Sequence, residues 1–127
     1  MIYIVQNLLP ILVASLLGLI AGLVVQRLRP AKLTPGQLVV AAVAQTWLCC
    51  ILAGALILAP PEAGRWTMSL GSAVVIWIGF VVPTTVVGYA ARGVPGRATA
   101  VDCAQWLVTM LVQATTLTLI GLTPPTS

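Results

Sequence analysis

The sequence predicts an all-α fold: an integral membrane four-helix bundle built as two helical hairpins. Composition is the first reason. The 127 residues include six basic and two acidic side chains, no His, and 60% hydrophobic residues; mean hydropathy is +1.10. A soluble domain carries roughly a quarter charged residues, because it needs a wet surface. Charge spacing is the second. Arg27, Arg29, Lys32, Glu62, Arg65, Arg92, Arg97 and Asp102 leave four uncharged stretches of 26, 29, 26 and 25 residues. Each holds one span of about 20 residues and none holds two. The third is punctuation: Pro, Gly and Thr cluster around the charges, where helices must stop and restart. These numbers exclude an ordinary soluble enzyme, a nucleic-acid-binding module and a disordered tail. They leave a single transmembrane domain over 1–127, with no extramembrane domain.

The first helix is expected from about Tyr3 to Gln26, with Pro10 as a kink or short entry turn. Ala14, Gly18 and Gly22 recur every four residues and form one small-residue stripe. Gly-x-x-x-Gly lets helix backbones approach closely in lipid, either within one chain or between protomers. The second helix runs from about Pro35 to Ala59. Thr34 caps it, Pro35 suits the first position, Gln37 closes a capping box and Pro60-Pro61 ends it. The third runs from about Trp66 to Ala91, with a bend expected at Gly79 and Pro83. Thr84 and Thr85 are candidates to satisfy the carbonyl that proline frees. The fourth runs from about Ala100 to Leu122, with Thr99 and Asp102 repeating the capping box. Tyr3 and Trp66 suit one interfacial aromatic belt, Tyr89 and Trp106 the other. Trp47 and Trp77 sit deeper and are expected to pack between helices.

Orientation follows from the basic residues. Arg27, Arg29 and Lys32 lie in the first loop, Arg92 and Arg97 in the third, and basic residues of short loops stay cytoplasmic. Both termini are then non-cytoplasmic. Met1–Leu9 has no basic n-region and no cleavage site follows it, so the first segment reads as a retained span. Arg outnumbers Lys five to one, which suggests a bacterial genome and hence the cytoplasmic (inner) membrane. Cys49, Cys50 and Cys103 read as small apolar filler rather than a disulfide framework.

An offset of 65 residues places Arg27 on Arg92, Pro30 on Pro95, Lys32 on Arg97, Thr34 on Thr99 and Gln37 on Asp102. A tandem duplication of one hairpin explains this. So does convergence, since every cytoplasmic loop needs basic stops and helix caps. On the fourth helix Asp102, Gln105, Thr109, Gln113 and Thr116 make one polar face about 21 Å long. A polar face in lipid must meet protein or water. It is either a hydrated path with Asp102 at its mouth, partnered by Arg92 or Arg97, or interhelical hydrogen bonding with Asp102 as a cap. Gln45 and Thr46 are candidate partners for Gln105 or Gln113.

Gly71, Trp77, Gly79, Phe80, Val82, Pro83, Thr84 and Thr85, then Tyr89 and Ala90, read G-x5-W-x-G-F-x-V-P-T-T-x3-Y-A. This pattern resembles family 1761 of the domains of unknown function, small bacterial proteins with four predicted membrane helices. The resemblance continues through Asp102, Trp106 and Leu107. It implies fold and location, and no activity.

Without His the chain lacks the commonest metal ligand and general base. Two acidic residues offer no catalytic set, so no enzyme, cofactor or metal site is expected. The leading expectation is a non-enzymatic membrane subunit, contacting the lipid bilayer and either other membrane subunits or copies of itself, and no nucleic acid. The alternative is a small homo-oligomeric channel or transporter using the polar stripe.

Overall fold

The structure is a computed structural model that describes residues 2–26, 34–58 and 64–122. Arg27, Arg29, Lys32, Glu62 and the terminal Pro124-Pro125 pair lie outside the described residues. The elements are α1 (Ile2–Gln6), α2 (Leu8–Gln26), α3 (Pro35–Leu58), α4 (Arg65–Ile76), a π turn (Trp77–Val81), α5 (Val82–Ala91) and α6 (Gly96–Ile120). No strand occurs among the described residues. Pro35–Leu58, Arg65–Ala91 and Gly96–Ile120 are each long and apolar enough to cross a membrane, and Leu8–Val24 is a shorter apolar helix.

The first helix is therefore divided, where the sequence predicted one piece. Pro10 has no N–H to offer the Gln6 carbonyl, and its ring crowds that turn. The break falls at Asn7, whose Nδ2 donates to Tyr3 O at 2.9 Å, the same oxygen its backbone N–H reaches at 2.9 Å. The 19 residues of α2 rise about 28 Å, close to the hydrocarbon thickness of about 30 Å.

α3 starts as its sequence says. Thr34 N–H donates to Gln37 Oε1 at 2.9 Å, and Gln37 N–H donates to Thr34 Oγ1 at 3.2 Å. That reciprocal pair satisfies two donors of the first turn.

The third span is continuous from Arg65 to Ala91, but Pro83 is accommodated differently from expectation. The hydroxyls of Thr84 and Thr85 make no hydrogen bond among the described residues. Instead the helix widens over Trp77–Val81, and Val82 N–H bonds five residues back to Trp77 O. One extra residue per turn shifts the bonding register just where proline would leave a gap. At the other end Val94 N–H reaches Tyr89 O at 3.0 Å and Gly93 N–H reaches Ala90 O at 3.1 Å. Gly93 has φ 72°. This is a Schellman stop with a left-handed glycine, followed by Pro95.

That stop lets α6 begin at Gly96, four residues before the expected start. Thr99 is consequently inside the helix, and its Oγ1 donates back to Pro95 O at 3.2 Å. The second capping box does not form, and no side chain caps this N-terminus.

The core gathers Ile11, Ala14, Cys49, Cys50, Leu52, Ala53, Ala73, Met110, Ala114 and Leu117. Cys49, Cys50 and Cys103 are free thiols, all buried. α6 is the central helix and packs on α2 most extensively, then on α4. A two-fold relating the hairpins would make α3 and α4 as intimate as α2 and α6, yet α3 and α4 touch sparsely. The reason lies in the offset of 65. Ala14, Gly18 and Gly22 fall on Gly79, Pro83 and Val87, so only the first hairpin carries a stripe that admits another backbone.

Candidate functional site: a polar seam on α6

The stripe of small residues on α2 and the polar stripe on α6 face each other. A Cβ placed on Gly18 would lie 2.9 Å from Gln113 Cγ, 3.1 Å from Gln113 Nε2 and 3.3 Å from Thr109 Cγ2. One placed on Gly22 would lie 3.4 Å from Thr109 Oγ1 and 3.5 Å from Gln105 Nε2. Ala14, the third member, is fully buried. The glycines therefore receive the glutamines and threonines of α6, which could not otherwise be covered in lipid.

Hydrogen bonds tie the seam together. Gln105 Nε2 donates to Gly22 O at 3.1 Å, and Gln113 Nε2 donates to Gln45 O at 3.2 Å. α6 is thus fastened to α2 and to α3 through backbone carbonyls. Thr109 and Gln113 are almost wholly buried. Thr116 turns inward on its own helix, with Oγ1 donating to Val112 O at 2.8 Å. Thr46 also bonds within its helix, to Ala42 O at 2.7 Å, and does not reach the seam. Among the described residues, Gln45 Oε1 and Gln113 Oε1 are buried with no hydrogen-bond partner.

At the Gly96 end of the seam, Asp102 Oδ2 accepts from Tyr89 Oη at 2.5 Å. Asp102 is half-buried and is not a helix cap, because α6 already began six residues earlier. The Schellman stop that follows Tyr89 holds its hydroxyl against α6. Arg92, itself exposed, joins them. Its guanidinium lies 5.2 Å from the Tyr89 ring centroid, and its Nε donates to Gly88 O at 3.2 Å. Arg97 is exposed. Tyr89→Phe removes a donor from a partly buried carboxylate and is expected to cost about 1 kcal/mol. A lowered unfolding midpoint in detergent, with unchanged helical content, is the readout.

A cavity of about 190 Å³ opens between these elements, with Gln45, Tyr89, Asp102, Gln105, Trp106 and Thr109 among its walls. The model of the family described as Protein of unknown function (DUF1761) matches residues 25–118. This chain belongs to DUF1761. Neither a curated protein nor a solved structure matches it.

Within this DUF1761 chain the match takes in the Gly71–Ala90 pattern and the seam residues of α6. Trp77 does pack between helices, donating from Nε1 to Cys103 O at 2.7 Å. Trp47 does not: it is 56% exposed, a correction that follows from its place on the outer face of α3. A second polar cluster escaped sequence reasoning. Ser69 Oγ contacts Thr118 Oγ1 at 2.5 Å and donates to Ala114 O at 3.1 Å, joining α4 to α6. Tyr3 likewise joins α1 to α3 through Cys50 O at 3.0 Å. Tyr3 is a lone polar group among Ile2, Ile4 and Val5, and that isolation was the available signal; Ser69, flanked by Thr67 and Ser72, offered none. Among the described residues no group of three His, Cys, Asp or Glu could hold a metal ion.

Proposed function

We propose that this membrane protein is a non-enzymatic subunit of a larger membrane complex, acting as a structural or assembly component. The observation that carries this reading is the third span. Only 6% of its most apolar window is buried within the chain, against 44% for α6. Val75, Ile78, Phe80, Val86 and Val87 leave a broad apolar face uncovered, interrupted by the π turn. α6, in contrast, spends its polar groups on contacts inside the chain. No His is present, and all three thiols are buried, which supports a role without bond-making chemistry. The membrane would be the bacterial cytoplasmic membrane, with Arg92 and Arg97 beside it on the cytoplasmic side and both termini opposite, following the charge bias of short loops.

The cavity beside Gln45 favours a second reading, a small homo-oligomeric channel or transporter. Within one chain, however, the Gly18–Gln113 contact closes the seam, so any path would have to run between protomers. Native mass spectrometry of the protein extracted in mild detergent separates the two. A stoichiometric foreign membrane protein is the result expected of a subunit. A closed ring of copies alone would sink that reading in favour of the channel.

A further inference from the structure

We propose that the groove between α5 and α6 holds one acyl chain of an anionic phospholipid, with the lipid phosphate at Arg97 and Arg92. The proposal does not rest on the subunit reading. The groove, of about 640 Å³, runs between Val82, Val86 and Ala90 on one side and Ala100, Ala104 and Leu107 on the other. Small residues open it: Gly96, Ala100 and Ala104 recur every four positions and so share one face of α6. Thr99 adds little polarity to the wall, because its Oγ1 is engaged by Pro95 O. Trp77 stands at the inner end, held by the bond from its Nε1 to Cys103 O at 2.7 Å.

Length and charge select the occupant. From Gly96 to Leu107 the groove follows α6 for about 16 Å, half the hydrocarbon thickness of about 30 Å. That is the depth of one leaflet, the reach of a lipid chain anchored at the Gly96 end. A transmembrane helix of another protein would need a face running through both leaflets. The Gly96 end is also basic. Arg97 follows Gly96, Arg92 precedes Val94, another wall, and both arginines are exposed. The sequence has two acidic residues, Glu62 and Asp102. Asp102 lines the seam cavity with its Oδ2 on Tyr89; counted against Arg92, it still leaves Arg97. Glu62 precedes Arg65, and the span Arg65–Ala91 puts about 40 Å of helix between that end and Arg92. The link 27–33, between α2 and α3, has only Arg27, Arg29 and Lys32 as charges, so it adds to the same sign. A second copy of the chain would bring the same basic excess, +4 overall. A phosphodiester brings the opposite charge, and basic residues at a membrane surface attract anionic lipid.

The test uses the full chain in mild detergent, titrated with dioleoyl phosphatidylglycerol or dioleoyl phosphatidylcholine, with bound lipid counted by native mass spectrometry. One phosphatidylglycerol per chain is expected to bind about tenfold tighter than phosphatidylcholine. Glycerol phosphate, which has the headgroup charge and no chain, should not displace it. Arg97→Gln should weaken phosphatidylglycerol binding about fivefold and leave phosphatidylcholine unchanged. Ala104→Leu fills the groove from an exposed position and should weaken both lipids. Should that variant fail to fold, Val86→Phe obstructs the same groove from α5. The proposal is overturned by equal affinity for the two lipids, by displacement with glycerol phosphate, or by unchanged phosphatidylglycerol binding in Arg97→Gln or in the groove variant. A dimer, or a complex with a foreign protein, that is lost in the groove variant while phosphatidylglycerol binding persists would give the groove to a protein and overturn it too.

Discussion

Gly18→Leu is expected to separate α2 from α6 and to abolish the folded bundle. The position has no room even for a methyl group: its Cβ would sit 2.9 Å from Gln113 Cγ and 3.3 Å from Thr109 Cγ2. Gln113 cannot simply swing away, because it is fully buried and bonded to α3. Gly18→Ala alone should cost about 1–3 kcal/mol through overpacking. The leucine variant has three more carbons to place, and the helices must part. Equilibrium unfolding in mixed micelles measures both. Gly71→Ala is the control, since a Cβ there meets nothing within 4 Å and removes a flexible residue from a helix interior. A Gly18→Leu protein as stable as the control would mean that the seam is not what holds α2 and α6 together.

Gln113→Glu is expected to destabilise the bundle by about 3–5 kcal/mol, the scale of an uncompensated buried charge. The Nε2 donor that now meets Gln45 O at 3.2 Å would be replaced by an oxygen facing an oxygen. Among the described residues no donor meets Gln113 Oε1, so none is at hand for the new carboxylate. Gln113→Leu removes the hydrogen bond without adding charge, and the loss should stay within about 1–2 kcal/mol. The order wild type, Leu, Glu in unfolding midpoint is therefore the expected result. If the Glu variant matched the Leu variant, the seam would have to be wet.

Local rules made much of this fold readable. The start of α3 follows from Thr34, Pro35 and Gln37 because a cap is written in adjacent residues. Gly18 and Gly22, and the series from Gln105 to Thr116, are visible because helical spacing puts them on one face. Their pairing with each other was not visible, since either stripe could have served a second copy of the chain. Tyr89 shows the same limit: its bond to Asp102 depends on the turn at Gly93 and on where α6 begins. The start of α6 was misplaced for a nameable reason. Thr99 matches Thr34 by alignment, but Pro95 and Gly93 set the turn earlier and leave Thr99 inside the helix. Ser69 shares its helix face with Arg65 and Ser72, and nothing in that spacing says which of them meets another helix.

The bonds of the seam join residues far apart in the chain: Gln105 to Gly22 across 83 positions, Gln113 to Gln45 across 68. Helices form individually in the bilayer and associate afterwards. During synthesis α2 and α3 therefore enter the membrane with their glycine groove vacant, and wait through α4 and α5 before α6 emerges. α6 must itself enter lipid with two glutamines and several threonines not yet covered. The half-made protein is an open clasp, and its exposed groove and late-arriving polar helix mark the stage at which insertion factors or premature contact with another chain would decide its fate.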